Sequence, residues 1–452
     1  MLISTSSYAQ YTILLNFAGT TNGESPHGDL ISDGTFFYGM TYEGGTNDIG
    51  TIFKIMHDGT GYAKLLDFAS ATTGRYPSGS LTSDGTFLYG MTKWGGSNGN
   101  GNIFKIMPDG TGFIQLFEFA LNVNGGYPLG SLISDGTFLY GMTQNGGTNT
   151  GGTIFKIMPD GTGFVKIFDF SSVISGNGPK GSLTFDGTFL YGMTELGGTN
   201  NLGTIFKIMP DGTGYSKLLD FAGASNGSLP YGSLIYDGTF LYGMTLLGGI
   251  NDFGTIFKIM PDGTGYSNLL DFAGTSNGRY PMGSLISDGT FLYGTTTLGG
   301  TNSHGTIFKI MPDGTNYEKL LDLVFLTGAY PWGSLFSDGT FLYGMTEQGG
   351  TSGGKGVLFK YSPEALDIDE LLMNNNELLV YPNPASDNFT ISINAVMKNA
   401  QVEICNVFGE KVYSTVLNNK RETINTKQFS SGIYFVKVSD GEKLFTKKLI
   451  LE

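Results

Sequence analysis

The sequence predicts an all-β protein, with a seven-bladed β-propeller of four-stranded antiparallel blades followed by a small Ig-like β-sandwich. The first observation behind the propeller is a repeat whose fixed period indicates a solenoid, a propeller or an array. The segment Thr-Phe-Leu-Tyr-Gly-Met-Thr, or a near copy, recurs at a spacing of 51 residues five times and 50 residues once. Its tyrosines are Tyr38, Tyr89, Tyr140, Tyr191, Tyr242, Tyr293 and Tyr343.

The second observation is the order of apolar runs within one unit, for example residues 79–119. Four short β-rich runs follow one another there, and two of the three joins are the turns Asp84-Gly85 and Asp109-Gly110. Asp-Gly between apolar runs predicts a hairpin, because glycine adopts the positive φ that a tight turn needs. Hairpins make the strands antiparallel, which disfavours a parallel β-helix and fits one propeller blade.

The third observation is that the repeat is offset from the start of the chain. Residues 11–19 match the fourth strand of a unit (compare 215–223), whereas the seventh unit ends after its third strand, near Lys360. We therefore expect the N-terminal strand to complete the last blade, which protects strand edges from unwanted pairing. The propeller is predicted to span residues 10–363.

Residues 1–9 lie outside the repeat and carry the small residues Ser7 and Ala9, spaced as in a signal-peptidase site. They lack the charged start and the apolar stretch of a full signal peptide. We interpret them as the remnant of a secretion signal, with a disordered tail as the alternative.

Composition excludes several classes of function. The net charge of −14 without a basic stripe argues against nucleic acid or an anionic membrane as a partner. The single cysteine, Cys405, rules out an intramolecular disulfide framework. No stretch has the ~20 apolar residues of a membrane span. The histidines show no metal-binding spacing, so we expect no bound metal and no cofactor. We also expect the protein to be a monomer.

A second region follows an acidic, asparagine-rich linker at residues 364–379. Strand-like runs at 388–394, 401–407, 411–417, 431–438 and 444–451 predict a small β-sandwich over residues 380–452. This region resembles the C-terminal sorting domain of proteins exported by the type IX secretion system of Bacteroidetes. The resemblance rests on Tyr381-Pro382-Asn383-Pro384, on Gly409 and Gly432 within the segments 406–412 and 431–438, and on the ending Lys447-Lys448-Leu449-Ile450-Leu451.

This resemblance implies a location and a partner. Proteins with such a domain cross the outer membrane by way of the periplasm, and the domain, which the secretion machinery recognises, is usually removed afterwards. They are then released or attached to the cell surface. The repeats resemble the GloVer tandem-repeat family, whose signature is Asp-Gly-Thr-x-Leu-Tyr-Gly with Gly-Gly-x-x-x-x-Gly-x-Ile-Phe. That resemblance implies architecture and no activity.

The loops divide into two sets that predict where a ligand binds. The turns on one face are nearly identical in all units, while the loops on the other face vary, and variable loops are where specificity resides. The middle residue of Pro-x-Gly, near the channel mouth, differs in every unit: His27, Ser78, Leu129, Lys180, Tyr231, Met282 and Trp332. Nearby lie Arg75, Tyr76, Arg279 and, in a loop, Trp94.

Aromatic planes with a few cationic donors suit sugar rings, although these residues could also simply fill the rim. The favoured function is a secreted or cell-surface binding module, with glycans as the ligand. The alternative is a carbohydrate-active enzyme, because propellers also host glycosidases and lyases. A glycosidase needs two carboxylates at a fixed separation across a pocket. Candidates on the variable face are Glu24, Glu43, Glu195 and Glu347, but nothing in the sequence pairs them. No catalytic constellation is identified. The recurring third-strand lysines, such as Lys54, are expected to pair across strands with fourth-strand acids such as Asp67.

Overall fold

A computed structural model describes residues 11–363, 378–381, 383, 385–393, 400–406, 410–417, 421–440 and 444–451. Two compact units are present, and the first is Tyr11–Pro363. The predicted secretion-signal remnant and linker residues 364–377 lie outside the described residues. A strand begins at Leu378, two residues before the predicted start of the second domain. The predicted domain boundaries stay predictions.

The first unit is built almost entirely from short β-strands. In chain order they are β1 (Tyr11–Asn16), β2 (Ile31–Ser32), β3 (Phe36–Thr41), β4 (Thr51–Met56), β5 (Ala63–Asp67), β6 (Thr82–Ser83), β7 (Leu88–Thr92), β8 (Asn102–Ile106), β9 (Ile114–Glu118), β10 (Ile133–Ser134), β11 (Leu139–Thr143), β12 (Thr153–Ile157), β13 (Val165–Asp169), β14 (Thr184–Phe185), β15 (Leu190–Thr194), β16 (Thr204–Ile208), β17 (Ser216–Asp220), β18 (Ile235–Tyr236), β19 (Leu241–Thr245), β20 (Thr255–Ile259), β21 (Ser267–Asp271), β22 (Ile286–Ser287), β23 (Leu292–Thr296), β24 (Thr306–Ile310), β25 (Glu318–Asp322), β26 (Phe336–Ser337), β27 (Leu342–Thr346) and β28 (Val357–Tyr361). The one-turn helices α1 (Leu121–Asn124) and α2 (Ser172–Ser175) lie in two of the connections between sheets.

These strands form seven four-stranded antiparallel sheets, which we call blades 1–7 in chain order, starting with β2–β5. The last sheet has the order β26-β27-β28-β1, so the N-terminal strand completes it. Tyr11 stands opposite Tyr361 and Asn16 opposite Val357 in this pairing. The all-β, propeller-like fold class predicted from the repeat is confirmed.

Apolar side chains pack between successive blades. In one cluster, Tyr89 and Ile103 of blade 2 pack against Leu139 and Phe155 of blade 3, and all four are at most 2% exposed. A sheet covered on both faces needs apolar residues on both sides of each strand. This explains the nearly continuous apolar runs of the second and third strands.

A closed ring of hydrogen bonds joins the innermost segments of the blades. In each step, a backbone N–H donates to the side-chain oxygen of the equivalent residue in the following blade, at 2.7–2.8 Å wherever a serine accepts. The last step runs from the Ser334 N–H to Oδ1 of Asp29 and returns to blade 1. The members of this ring are Asp29, Ser80, Ser131, Ser182, Ser233, Ser284 and Ser334.

The predicted pairing of third-strand lysines with fourth-strand acids is wrong in its general form. Lys54 stands opposite Ala63, because the register shifts after Ile52. Its ammonium donates to the Pro108 carbonyl of blade 2 at 3.2 Å. Asp67 instead forms an ion pair with Lys64 on its own strand at 2.8 Å. Lys105, Lys156, Lys207 and Lys258 make the same bond, so five of the third-strand lysines connect neighbouring blades. Lys309 differs, since it pairs across strands with Glu318 at 3.0 Å.

The second unit has two sheets, β29-β30-β33 and β32-β31-β34-β35. Its strands are β29 (Leu378–Tyr381), β30 (Asn388–Ile393), β31 (Gln401–Asn406), β32 (Lys411–Val416), β33 (Arg421–Asn425), β34 (Gly432–Ser439) and β35 (Leu444–Leu451), with a 3₁₀ turn at Thr426–Gln428. Phe389, Ile404 and Val436 are fully buried in its core. Strands β29 and β33 were not predicted, and the Ig-like character of the unit stays a prediction.

Candidate ligand-binding site

The seven middle residues of Pro-x-Gly all line one cavity on the variable face, with a volume of about 180 Å³. Its floor is formed by the glycines that follow them and by the ring of Asp29 and six serines. Tyr42 and Lys93 complete the lining. The structure therefore brings together His27, Lys180, Tyr231, Met282 and Trp332 of the predicted site, with Ser78 and Leu129. Arg75, Tyr76 and Arg279 are not part of the lining.

A left-handed residue before each proline positions these side chains. Tyr76, with φ 56°, donates its N–H to the Ile49 carbonyl of the preceding blade at 2.9 Å. Its own carbonyl accepts from the N–H of Lys93 at 3.2 Å. A left-handed conformation costs a non-glycine residue about 1–2 kcal/mol, so these bonds hold the chain against strain. The equivalent residues, all with positive φ, are Ser25, Tyr76, Tyr127, Gly178, Leu229, Tyr280 and Tyr330.

Aromatic rings form one wall of the cavity. The His27 ring lies between two others, with centroids 4.3 Å from Tyr42 and 4.4 Å from Trp332, and it is nearly parallel to Trp332 at 11°. Tyr231 meets Trp332 edge-on at 5.9 Å. The rings come from blades 1, 5 and 7, so residues far apart in sequence build a single wall.

Ionisable groups lie among these rings. Nε2 of His27 is 3.8 Å from Oε1 of Glu347, which is too long for a hydrogen bond, and this buried nitrogen has no hydrogen-bond partner among the described residues. Lys180 forms an ion pair with Glu195 at 2.5 Å and lies over the Tyr231 ring at 4.4 Å. The cavity therefore combines apolar ring faces with polar groups of both signs.

Burial and neighbouring charges shift the pKa values of several cavity-lining groups, among them Tyr231 and Lys93. Burial, with contributions from Glu195, Tyr42 and Glu347, raises the pKa of Tyr231 to about 12. The phenol is therefore a neutral donor at physiological pH. Burial lowers the pKa of Lys93, and the positive charge of Lys180 adds to this effect.

The remaining predicted residues lie around the cavity. The Arg75 guanidinium lies over Tyr76, 5.6 Å from its ring centroid, and the Tyr76 ring stacks on Tyr42 at 5.0 Å. Arg279 lies over Phe253 and Tyr280. Tyr76 therefore packs against a ring of the wall, and none of these three side chains lines the cavity.

Two of the four candidate glutamates contact cavity-lining residues. Glu195 pairs with Lys180, and Glu347 approaches His27, as described above. Glu24 is held by an ion pair with Lys355, and its backbone bonds to that of Glu43. The chain thus brings Glu195 and Glu347, but not Glu24, to the cavity residues.

Beside the glycines and serines of the floor, Tyr42, Lys93 and Asp29 were not predicted to line the cavity. Tyr42 and Lys93 each directly follow the second strand of a blade, and Asp29 replaces the serine of the other six repeats. The sequence did carry a signal for Tyr42 and Lys93, because the residue after the second strand varies from unit to unit, as the middle residue of Pro-x-Gly does. The residues after the second strand are Tyr42, Lys93, Gln144, Glu195, Leu246, Thr297 and Glu347.

Two features are absent from the residues that the structure describes. Among them, no group of three or more His, Cys, Asp or Glu side chains could hold a metal ion. Within the same residues, no helix is long and apolar enough to cross a membrane.

Of the described sorting-motif residues, Tyr381 ends β29, Asn383 follows it, and Gly432, Lys447 and Lys448 lie on β34 and β35. Asn383 donates to the Lys448 carbonyl at 2.6 Å and accepts from the Ile450 N–H at 2.8 Å, so it fixes β35. In the antiparallel pairs, Tyr381 stands opposite Thr390, Gly432 opposite Leu451, Lys447 opposite Val436 and Lys448 opposite Phe435. Pro382, Pro384 and Gly409 lie outside the described residues.

Comparisons with known proteins give relatives for parts of the chain. An endo-acting ulvan lyase of Formosa agariphila is 34% identical over 91 residues, which are 20% of this chain and 17% of that protein. The extracellular domain of a putative hybrid two component system from B. thetaiotaomicron superposes with a TM-score of 0.54 at 13% identity, over 99% of this chain and 59% of that one. This chain therefore spans less than two thirds of either protein.

An oligogalacturonate lyase in complex with manganese superposes with a TM-score of 0.51 at 13% identity, over 79% of this chain and 94% of that one. At such identities these structures are similar in fold alone.

Family models account for nearly the whole chain. The Gloeobacter/Verrucomicrobia repeat matches residues 3–186, 134–240 and 236–378, and the secretion system C-terminal sorting domain matches residues 379–452. Both predicted resemblances are thereby confirmed, and the sorting domain indicates export by the type IX secretion system to the cell surface or the extracellular space. The chain belongs to the Gloeobacter/Verrucomicrobia repeat family and ends in a type IX sorting domain.

Proposed function

We propose that this exported protein is a glycan-binding module whose site is the central cavity. The observation that carries the proposal is the aromatic wall of Tyr42, His27, Trp332 and Tyr231, with Lys180 beside it. The C–H faces of a sugar ring pack on aromatic planes, while its hydroxyl groups need polar partners at the edges.

The dimensions of the cavity suit a small part of a glycan. Its volume of about 180 Å³ is below the ~300–1,000 Å³ of typical small-molecule sites. It therefore fits one ring or the end of a chain, with the rest of the glycan outside. The Tyr231 hydroxyl, the Glu347 carboxylate and the Lys180 ammonium provide donors and acceptors next to the rings.

A carbohydrate-active enzyme is the second candidate. Glu195 and Glu347 reach the cavity residues from blades 4 and 7, and one partial relative is an ulvan lyase. The oligogalacturonate lyase similarity concerns fold alone. Because Glu195 is already paired with Lys180, the two carboxylates do not form a free acid and base pair, and we favour binding.

A glycan and polysaccharide screen on the full chain, with mass analysis of products, tests both candidates. We expect binding without turnover, and we expect the double variant Trp332→Ala, Tyr231→Ala to lose at least about tenfold in affinity. Trp94→Ala is the matched control, because Trp94 contacts the Tyr127 ring on the same face but does not line the cavity. Thermal unfolding of each variant checks that the fold is intact.

The outcomes separate the candidates. Unchanged affinity in the folded double variant would exclude the cavity as the site. Shortened or unsaturated sugars among the products would favour the enzyme and direct mutagenesis to Glu195 and Glu347. An absence of both binding and turnover would leave the proposal without support and point to a protein partner.

A further inference from the structure

The lysines of the first unit have partners within the protein, with one exception. Third-strand lysines donate to a proline carbonyl of the next blade or lie over an aromatic ring. Fourth-strand lysines pair with an aspartate three residues later. Lys180 pairs with Glu195, and Lys355 with Glu24. Within residues 11–363, only Lys93 has no ion pair, hydrogen bond or ring contact for its ammonium group.

This unpaired lysine lines the cavity. Lys93 directly follows β7 and is half-buried. Its backbone N–H donates to the Tyr76 carbonyl, and this bond fixes the position of the Lys93 backbone at the cavity. Burial and the nearby charge of Lys180 both act against its protonated form, as the direction of its pKa shift indicates. A half-buried ammonium group without a counter-charge is unfavourable. A bound anion would supply the missing counter-charge.

The aromatic wall lies beside this cation. Tyr42 occupies in blade 1 the position that Lys93 occupies in blade 2, and both line the cavity. A sugar ring bound in this cavity would therefore lie close both to these aromatic side chains and to the Lys93 ammonium. Lys180 differs from Lys93, because Glu195 already neutralises it.

We propose that the cavity recognises an acidic saccharide and that the Lys93 ammonium binds its carboxylate or sulfate group. This inference rests on the proposed glycan-binding function and adds the chemical class of the ligand. Charge-assisted hydrogen bonds from an ammonium to such oxygens are about twice as strong as neutral ones. In a protein with a net charge of −14, only a local cation of this kind favours an anionic ligand.

The test compares two Lys→Gln substitutions that the repeats themselves indicate are compatible with the fold. Lys93→Gln introduces the residue that blade 3 carries at the equivalent position, Gln144. Lys64→Gln, the matched control, changes the charge equally and introduces the residue that blade 2 carries there, Gln115. Lys93→Arg keeps the charge. Each full-length variant is titrated calorimetrically with glucuronate and glucose oligosaccharides, and with sulfated and unsulfated galactose oligosaccharides.

We expect the acidic member of at least one pair to bind the unmodified protein about tenfold or more tightly than its neutral counterpart. Lys93→Gln should remove this preference, while Lys64→Gln and Lys93→Arg should retain it. The preference should also decrease as salt is raised, because ions screen the attraction. The pair that shows the preference identifies whether the group is a carboxylate or a sulfate.

The failures of the two proposals are distinguishable. Equal affinity for acidic and neutral saccharides would overturn the acidic class and leave the glycan-binding proposal standing. An acidic preference that survives in folded Lys93→Gln would overturn the role of Lys93. An absence of binding to every saccharide would overturn the proposed function itself.

Discussion

Asp29 should make the protein less stable than a perfectly repeating chain would be. It is the one carboxylate in a ring of seven equivalent positions, the other six being serines. Burial raises the pKa of Asp29, although the N–H and hydroxyl of Ser334 and the hydroxyl of Ser80 partly offset the effect by donating to it. The Ser334 N–H would find a serine Oγ in the same place, as its six counterparts do. We therefore predict that Asp29→Ser stabilises the first unit at pH 7.

The magnitude follows from the repeat. Substitutions toward a consensus residue commonly add about 0.5–2 kcal/mol to the free energy of unfolding. The shift in melting temperature is this gain divided by the unfolding entropy, which is ~2.1 cal/mol/K per residue. For the unit Tyr11–Pro363 the shift is about 1–3 °C. Differential scanning fluorimetry and calorimetry both resolve such a shift.

The pH dependence provides a sharper test than the shift alone. Because the pKa of Asp29 is higher in the folded than in the unfolded state, the folded protein loses stability as pH rises from the unfolded pKa through the folded one. The penalty is complete above this interval and absent below it. The advantage of Asp29→Ser should thus be present at pH 7 and shrink toward zero at pH 3.5. Asp29→Asn, which removes the charge but keeps an acceptor oxygen, should behave in the same way. A variant less stable than the unmodified protein at pH 7, or a gain independent of pH, would refute the reasoning.

Two further predictions concern packing and export. Gly141→Ala should lower the free energy of unfolding by about 1–3 kcal/mol in a urea titration, because its Cβ would lie 2.6 Å from the Phe155 ring; an unchanged midpoint and slope would contradict this. A chain ending at Asn376 should accumulate in the periplasm in cell fractionation, because it lacks the sorting domain of residues 379–452. Its secretion at the level of the full chain would contradict that assignment.

Repetition made most of the fold predictable. Each unit repeats the same apolar runs and Asp-Gly turns, so the strands inferred for one unit apply to all seven sheets. The offset of residues 11–19 identified the strand that pairs with β28. Equivalent residues of a repeat lie at equivalent distances from the channel. This explains why the middle residues of Pro-x-Gly, which are far apart in sequence, line one cavity.

The parts that were missed or wrong depend on contacts between residues distant in sequence, within one blade or between two neighbouring blades. Tyr42 and Lys93 lie beside the Pro-x-Gly residues because Ser25 and Tyr76, in the left-handed conformation, bond to the N–H groups of Tyr42 and Lys93. No local pattern indicates such a cross-connection. The lysine pairing failed for a similar reason, since a one-residue register shift placed Lys54 opposite Ala63 and directed its ammonium toward the neighbouring blade.

The variation within the repeat also separates scaffold from site. Residues from serine to tryptophan occupy the same Pro-x-Gly position on nearly the same backbone, so the fold requires no particular side chain there. Packing therefore does not explain why cavity-facing cations come from blades 2 and 4 while rings come from blades 1, 5 and 7. Each of these cavity-facing residues can be replaced by the residue that another repeat carries at the same position. Such replacements leave the hydrogen-bonded ring beneath the cavity undisturbed. Ligand specificity in such a protein can change through exchange between repeats while the hydrogen-bonded ring stays constant.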